Sequence, residues 1–405
     1  MQKNKSLRWK REEIFHDGDS FFSQLEKGLD LAQKTISLET YIFANDTLGK
    51  RIATALKKAA ARDVEVRVLV DGFGSPGWEL AFRQDLRDAG VQAYVHNPLP
   101  KSFKTKKALR ETGSVLLNLF SKLNRRNHRK TCIVDSRILW IGSMNISDNH
   151  LASRMGNSCW RDTSARLEGR GIAEVERAFG KAWKKAVALE AGIRLPQLGL
   201  LKTRAKRSGL VRLNHTWLLR RRLYDDLLLQ IQQAEKTIWI TNAYFLPPQL
   251  IITALCKAAA KGVDVRILIS KDYDVFFFGW VSSLFNFSLL QAGVKIFEYT
   301  PSILHAKILI IDDTIMLGSS NFNHRSFIHD LEADIYLTHE SSKRDLTEQF
   351  AKDLEKSHQL TLETCVPITQ TDLVSTLQVQ PHKWDLKTGL EGWAGKLLFH
   401  LRYWL

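Results

Sequence analysis

Ala53-Thr54-Ala55-Leu56-Lys57-Lys58-Ala59-Ala60-Ala61, followed by Val64-Glu65-Val66-Arg67-Val68-Leu69-Val70, returns later in the chain. The second copy reads Ile252-Thr253-Ala254-Leu255-Cys256-Lys257-Ala258-Ala259-Ala260, followed by Val263-Asp264-Val265-Arg266-Ile267-Leu268-Ile269. Each copy is an Ala-rich helical pattern running into a β-branched strand pattern. Outward from it, β-branched strands are predicted upstream at Thr35–Phe43 and Thr237–Phe245, and helices at Leu48–Arg62 and Gln249–Lys261. Downstream, Ala89-Gly90-Val91 matches Ala292-Gly293-Val294, leading to short strands at Gln92–Val95 and Lys295–Tyr299. A period of about 200 residues is too long for a solenoid and marks a duplicated domain. Alternating strands and helices make each unit α/β. The units are expected over 1–195 and 196–405, because Pro196, Gly199, Gly209 and the basic stretch 202–207 break the periodicity near Gly192–Ser208.

A second repeat lies inside the first. His128-Arg129-Lys130-Thr131-Cys132-Ile133-Val134-Asp135 precedes Gly142-Ser143-Met144-Asn145, and His305-Ala306-Lys307-Ile308-Leu309-Ile310-Ile311-Asp312 precedes Gly318-Ser319-Ser320-Asn321. Both read His-x-Lys-x4-Asp and then Gly-Ser-x-Asn. Ala89 aligns with Ala292 at an offset of 203, whereas His128 aligns with His305 at 177, so the first unit carries about 26 extra residues around 98–127. They are rich in Lys and Arg. Such a run is either a solvated loop or a patch for a polyanion.

On a strand, residues two apart share a face, so each His and its Lys point together, while Asp135 and Asp312 fall on the opposite face and are read as structural. A neutral imidazole is a nucleophile near neutral pH, and its protonated form can give a proton to a departing alkoxide. The ammonium of Lys130 and Lys307 and the amide of Asn145 and Asn321 suit phosphoryl oxygens, and a Gly-Ser turn lets backbone approach closely. Each ring needs an acceptor on its other nitrogen; Asp162 and Glu332, at corresponding places in the two units, are the candidates. No carboxylate cluster offers a magnesium site, so no metal and no cofactor is expected. Cys132 reads as core, as do the pairs Tyr41/Phe43 and Tyr244/Phe245. His150, His324 and His329 are expected on loops or at the surface.

The bulk numbers narrow the partners. In 405 residues, 59 Lys+Arg stand against 43 Asp+Glu, a net charge of +16, which points to nucleic acid or an anionic membrane surface. Four scattered cysteines (Cys132, Cys159, Cys256, Cys365) suggest free thiols. The start of the chain has no apolar signal-peptide region. The uncharged run from Val275 to Val294 is interrupted by Ser282, Ser283, Asn286, Ser288 and Gln291, so no transmembrane segment is expected. Residues 389–405 set Leu390, Trp393, Ala394, Leu397, Leu398, Leu401 and Trp404 on one helical face, the pattern of an interfacial helix or of one docked onto the protein core.

The paired motifs resemble the phospholipase D superfamily over most of residues 30–340. Asn127-His128-Arg129-Lys130, Trp160-Arg161-Asp162-Thr163 and Gly318…Asn321-Phe322…Arg325-Ser326-Phe327…Glu332 together look like bacterial cardiolipin synthases, of the shorter peripheral type without N-terminal membrane helices. The resemblance implies two α/β/α sandwich units forming a pseudo-dimer with one active site at their interface, and a metal-free covalent phosphohistidine. It implies His128 as nucleophile, His305 as acid/base, and Lys130, Lys307, Asn145 and Asn321 as phosphate clamp supported by Ser143 and Ser319. It implies phosphatidylglycerol and cardiolipin as lipid partners, met at the cytoplasmic face of the inner membrane through the basic insert, the Val275–Leu290 region and the C-terminal helix. Phospholipid hydrolysis and a nuclease of the same superfamily are the alternatives; the uncharged run and Trp-rich C-terminus make nucleic acid the poorer partner.

Overall fold

The computed structural model describes residues 8–98, 125–193, 209–274 and 285–363. Most of the basic insert, the expected unit boundary, residues 275–284 and the C-terminal segment from 364 lie outside the described residues.

The first unit builds a seven-stranded sheet from β1 (Arg11–Phe15), β2 (Thr35–Thr40), β3 (Glu65–Asp71), β4 (Gln92–His96), β5 (Thr131–Val134), β6 (Ile138–Gly142) and β7 (Ser164–Glu168). The second builds an eight-stranded sheet from β8 (Val211–Leu213), β9 (Thr237–Asn242), β10 (Asp264–Ser270), β11 (Lys295–Tyr299), β12 (Lys307–Ile311), β13 (Thr314–Gly318), β14 (Ala333–Tyr336) and β15 (Ser357–Gln359). The spatial orders are β1-β7-β6-β5-β2-β3-β4 and β15-β11-β10-β9-β12-β13-β14-β8. Read from the opposite edge, the first order is the second without β15, so the duplication seen in sequence is a duplication of topology. Within each sheet three strands run parallel and the motif strand pairs antiparallel to them: Leu38 lies opposite Cys132, and Ile240 opposite Leu309.

Helices cover the outer faces because their apolar residues recur at helical spacing. The helix Gly18–Asp30, capped by the Asp17 carboxylate on the Ser20 N–H, buries Phe21, Phe22, Leu25 and Leu29. The helix Thr47–Ala60, capped by Asp46, buries Leu48, Ile52, Leu56 and Ala59. The helices Trp217–Gln233 and Gln249–Ala260 do the same for the second sheet through Leu227, Ile231, Ile251 and Leu255. The inner faces share a third core. Ile133, Leu139, Ile141, Ala165 and Leu167 of the first unit pack with Leu304, Ala306, Ile308, Ile310, Leu317 and Ala333 of the second. Trp9 laces the two together: its indole N–H donates to the Tyr336 carbonyl at 2.9 Å.

The predicted strands Thr35–Phe43 and Thr237–Phe245 end three residues early, at Thr40 and Asn242. Their last residues turn over the strand ends, which carries Tyr41 and Tyr244 out of the core. Phe43 and Phe245 are buried as expected, and so is Cys132.

Candidate active site

The motif histidines stand two or three residues before their strands, not on them. Each is held there by backbone pairing with the other unit. Asn127 bridges Leu331, with the His128 N–H donating to the Leu331 carbonyl at 3.0 Å and the Leu331 N–H to the Arg126 carbonyl at 2.8 Å. Leu304 bridges Arg161, with the His305 N–H donating to the Arg161 carbonyl at 2.8 Å and the Arg161 N–H to the Ile303 carbonyl at 2.9 Å. The residues after Leu331 and Arg161 are Glu332 and Asp162. Backbone pairing therefore sets each histidine beside the carboxylate of the opposite unit.

The side chains complete that exchange. His128 Nδ1 lies 3.1 Å from both carboxylate oxygens of Glu332 and 3.1 Å from the Ser319 carbonyl. A carbonyl only accepts, so Nδ1 carries the proton and Nε2 keeps its lone pair. His305 Nδ1 lies 2.7 Å from Asp162 Oδ2. The carboxylates are themselves fixed. Glu332 accepts from the hydroxyls of Ser319 (2.5 Å) and Ser326 (2.7 Å). Asp162 accepts from the Ser143 hydroxyl and, at 2.7 Å, from the Thr163 N–H.

Lys130 and Lys307 are buried between these dyads, each ammonium donating to the carbonyl of its own histidine, Lys130 at 2.7 Å. Burial, and then the other lysine among the nearby charges, pull Lys130 down to about 7; burial lowers Lys307 to about 8. Burial, then the lysines, hold both imidazoles well below their ordinary value, so both rings are neutral at neutral pH. The carboxylates differ. Burial pushes Glu332 up to about 7 against Lys130 and its two serine hydroxyls. Burial also works against the Asp162 anion, but His305, His150 and Lys307 outweigh it and hold Asp162 below the usual carboxylate range. Two buried lysines whose charge burial weakens but does not remove, beside neutral imidazoles, form a pocket chemically suited to an anion, whose charge would favour theirs.

A family model described as "Cardiolipin synthase, PLD-like domain" matches residues 25–183 and 227–354. The chain belongs to this cardiolipin synthase, PLD-like family. A cardiolipin synthase of Clostridium perfringens is 31% identical over 364 residues, covering 87% of this chain and 72% of the relative. That of Halalkalibacterium halodurans is 32% identical over 358 residues, covering 86% and 67%. Cardiolipin synthase A of Pseudomonas entomophila is 33% identical over 353 residues, covering 86% and 69%. Among solved structures, phosphatidylserine synthase of Haemophilus influenzae superposes with a TM-score of 0.66 at 14% identity over 99% of this chain and 96% of that one, a likeness of fold.

Within this PLD-like site several residues fall differently from their sequence reading. Ser143 and Ser319 are fully buried with their hydroxyls on the carboxylates, so they hold Asp162 and Glu332 and do not face open space. Gly142 and Gly318 are needed for strand packing: a Cβ there would collide with Ser164 and Asp334 on the neighbouring strand. Asn145 and Asn321 are buried; the Asn145 amide oxygen accepts the Ile42 N–H at 3.3 Å, and the Asn321 amide oxygen has no hydrogen-bond partner among the described residues. Asp135 and Asp312 lie away from the site. Each carboxylate accepts the backbone N–H groups of three successive residues, Gln33 to Thr35 and Glu235 to Thr237.

His150 is a correction: it is fully buried, because its ring is drawn under the Asn145 backbone and beside Asp162. His324 and His329 are partly exposed. Tyr41 is another correction, its ring 4.9 Å from that of His128 with the Lys130 ammonium 5.2 Å over it; Tyr244 stands 6.5 Å from His305. The sequence reading also passed over Glu39, a buried acid that accepts from Asn127 (3.0 Å) and Thr131 (3.1 Å) and pairs with Arg129 (3.2 Å), bracing the His128 segment. A charged residue inside a β-branched strand was its available signal.

Among the described residues one trio has the proximity of a metal site: His150, Asp162 and His305. The proton positions oppose it. His150 Nε2 accepts the Asn145 N–H at 3.1 Å, which leaves the proton on Nδ1, the atom that would have to ligate.

Proposed function

We propose that this chain is a phosphatidyltransferase that makes cardiolipin from two molecules of phosphatidylglycerol. The observation that carries the proposal is the crossed pair of dyads, each histidine donating Nδ1–H to the other unit's carboxylate with two buried lysines beside them. His128 Nε2 attacks phosphorus. The bond to the headgroup oxygen breaks, and that oxygen takes the proton of the His305 imidazolium, leaving glycerol and a phosphatidyl group on His128. The hydroxyl of a second phosphatidylglycerol then gives its proton to His305 Nε2 and attacks phosphorus, the P–N bond breaks, and cardiolipin leaves. Glu332 balances the positive charge of the substituted His128 ring, and Asp162 that of protonated His305. The bound phosphodiester anion offsets the lysine charge that keeps His305 neutral in the empty site. Lys130, Lys307, Asn145 and Asn321 hold the phosphoryl oxygens.

In this reading the chain divides into units over 1–195 and 196–405, and works as a peripheral enzyme at the cytoplasmic face of the inner membrane. Contact runs through the basic insert, the Val275–Leu290 region and the Trp- and Leu-rich residues 389–405. Phospholipid chemistry in the named relatives supports the substrate class. No helix among the described residues is long and apolar enough to cross a membrane.

The test is a quenched reaction with labelled phosphatidylglycerol in mixed micelles. Cardiolipin and glycerol should form in equal amounts, and a peptide containing His128 should carry the phosphatidyl label transiently. Phosphatidic acid as the sole product would make the enzyme a phospholipase D. Cleavage of single-stranded DNA without lipid turnover would replace the lipid reading with the nuclease one.

A further inference from the structure

His150 belongs to neither dyad, yet it is aimed at one of them. It sits on the tight turn Asp148–His150, fully buried. Its Nε2 accepts the Asn145 N–H at 3.1 Å, so its neutral ring carries the proton on Nδ1. Among the described residues Nδ1 makes no hydrogen bond, and it points at Asp162 Oδ2 from 3.5 Å, the oxygen that His305 Nδ1 contacts at 2.7 Å. Trp160 sets both rings: its centroid is 5.4 Å from that of His150 and 5.3 Å from that of His305.

The second unit answers differently. His150 follows Asn145 by five residues, and Ser326 follows Asn321 by five. The Ser326 hydroxyl accepts the Asn321 N–H at 3.2 Å and donates to Glu332 Oε1 at 2.7 Å. One dyad thus has a rotatable hydroxyl beside its carboxylate, and the other a ring N–H that cannot turn away.

We propose that His150 is a positioning residue for His305, its Nδ1–H sharing Asp162 Oδ2 with the His305 ring and thereby making His305, not His128, the group that moves protons to and from the glycerol oxygens. The positive end of a second N–H dipole 3.5 Å from Oδ2 lowers the carboxylate's affinity for the imidazolium, so protonated His305 gives up its Nε2 proton to the departing oxygen more readily. No bond is made or broken at His150. Its hold on the Asn145 backbone also ties this proton donor to the residue placed on the phosphoryl group.

The inference rests on the roles given to the two histidines, and the experiment separates the two. Three variants are compared on phosphatidylglycerol and on phosphatidyl-p-nitrophenol in the same micelles. His150→Asn keeps an N–H near the place of Nδ1. His150→Gln keeps an acceptor for the Asn145 N–H but no donor to Asp162. His150→Phe keeps only the ring packing. With phosphatidylglycerol, the Asn variant should retain kcat within about threefold, while Gln and Phe lose roughly 10- to 100-fold in kcat at a KM changed by less than about twofold. With the nitrophenyl ester the burst of nitrophenolate should be nearly unchanged in the Gln variant, which keeps the acceptor for the Asn145 N–H, because nitrophenolate leaves without needing a proton. Activity surviving in Phe but lost in Asn would reduce His150 to packing and overturn the inference. So would equal losses of the Gln variant on both substrates in an enzyme whose phosphatidyl label sits on His128. If the label sits on His305, the assigned roles themselves fall, whatever the variants do.

Discussion

Replacing Glu332 by Gln keeps the volume and removes the charge from the acid that His128 faces. In the native site its two oxygens accept three hydrogen bonds, from His128 Nδ1, Ser319 and Ser326. An amide accepts on one side only. The ring becomes cationic as the P–N bond forms. A hydrogen bond from a cation to a carboxylate contributes about 1.5–3 kcal/mol, against about 1 kcal/mol for a neutral pair, so the lost charge alone costs roughly tenfold. An amide turned with its NH2 toward Nδ1 also drives the ring proton onto Nε2 and blocks attack, which adds a factor of about 100. The combined expectation is a fall of about 10³ in phosphatidyl-His128 formation, or about 4 kcal/mol, measured by rapid quench with labelled phosphatidylglycerol. Asp162→Asn, in the same unit as His128, should leave attack on an activated nitrophenyl ester almost intact while slowing transfer to glycerol hydroxyls. If Glu332→Gln forms the intermediate at near-native speed and Asp162→Asn does not, the crossed assignment is wrong.

Asp135→Ala and Asp312→Ala should each lower stability by about 2–3 kcal/mol in urea unfolding, since three backbone N–H groups lose their acceptor, with kcat per folded molecule unchanged. Impaired turnover at full stability would bring these aspartates into the chemistry. Glu332 is held near 7, above its ordinary 4.5, so its stabilising protonated form is complete below about pH 4.5 and is lost as pH rises through 7. Relative to Glu332→Gln, the native protein should therefore lose about 2–3 kcal/mol of stability between pH 5 and 8; parallel stability curves would refute the shift. Activity should persist in excess EDTA, because in the proposed site lysines would do the work of a divalent ion; a loss that added Mg²⁺ restores in detergent micelles would contradict that site.

The duplication, the α/β class and the two His-Lys pairs were legible because they repeat: chance does not reproduce a motif and its downstream tetrapeptide twice. The carboxylates could be placed from their strands. Their exchange between units could not, because the bridges Asn127–Leu331 and Leu304–Arg161 are tertiary contacts with no local pattern. Ser143 and Ser319 enter the sequence reading only as support for the phosphate clamp that the resemblance implies; the fold turns their hydroxyls onto Asp162 and Glu332. His150 was misread for a related reason. A lone histidine after an Asp-Asn turn has the look of a surface residue, and its burial follows from the Asn145 N–H that it satisfies.

The crossing of the dyads bears on how such an enzyme could arise. A lone copy of the unit owns a histidine and an acid that cannot meet, so an unfused ancestor would have had to work as a symmetric pair of chains. Symmetry would then give both histidines identical neighbours, and nucleophile and proton carrier would be interchangeable. Joining the copies into one polypeptide removes that obligation. Glu332 with Ser326 on one side, and Asp162 with His150 on the other, are differences that only a fused gene could fix.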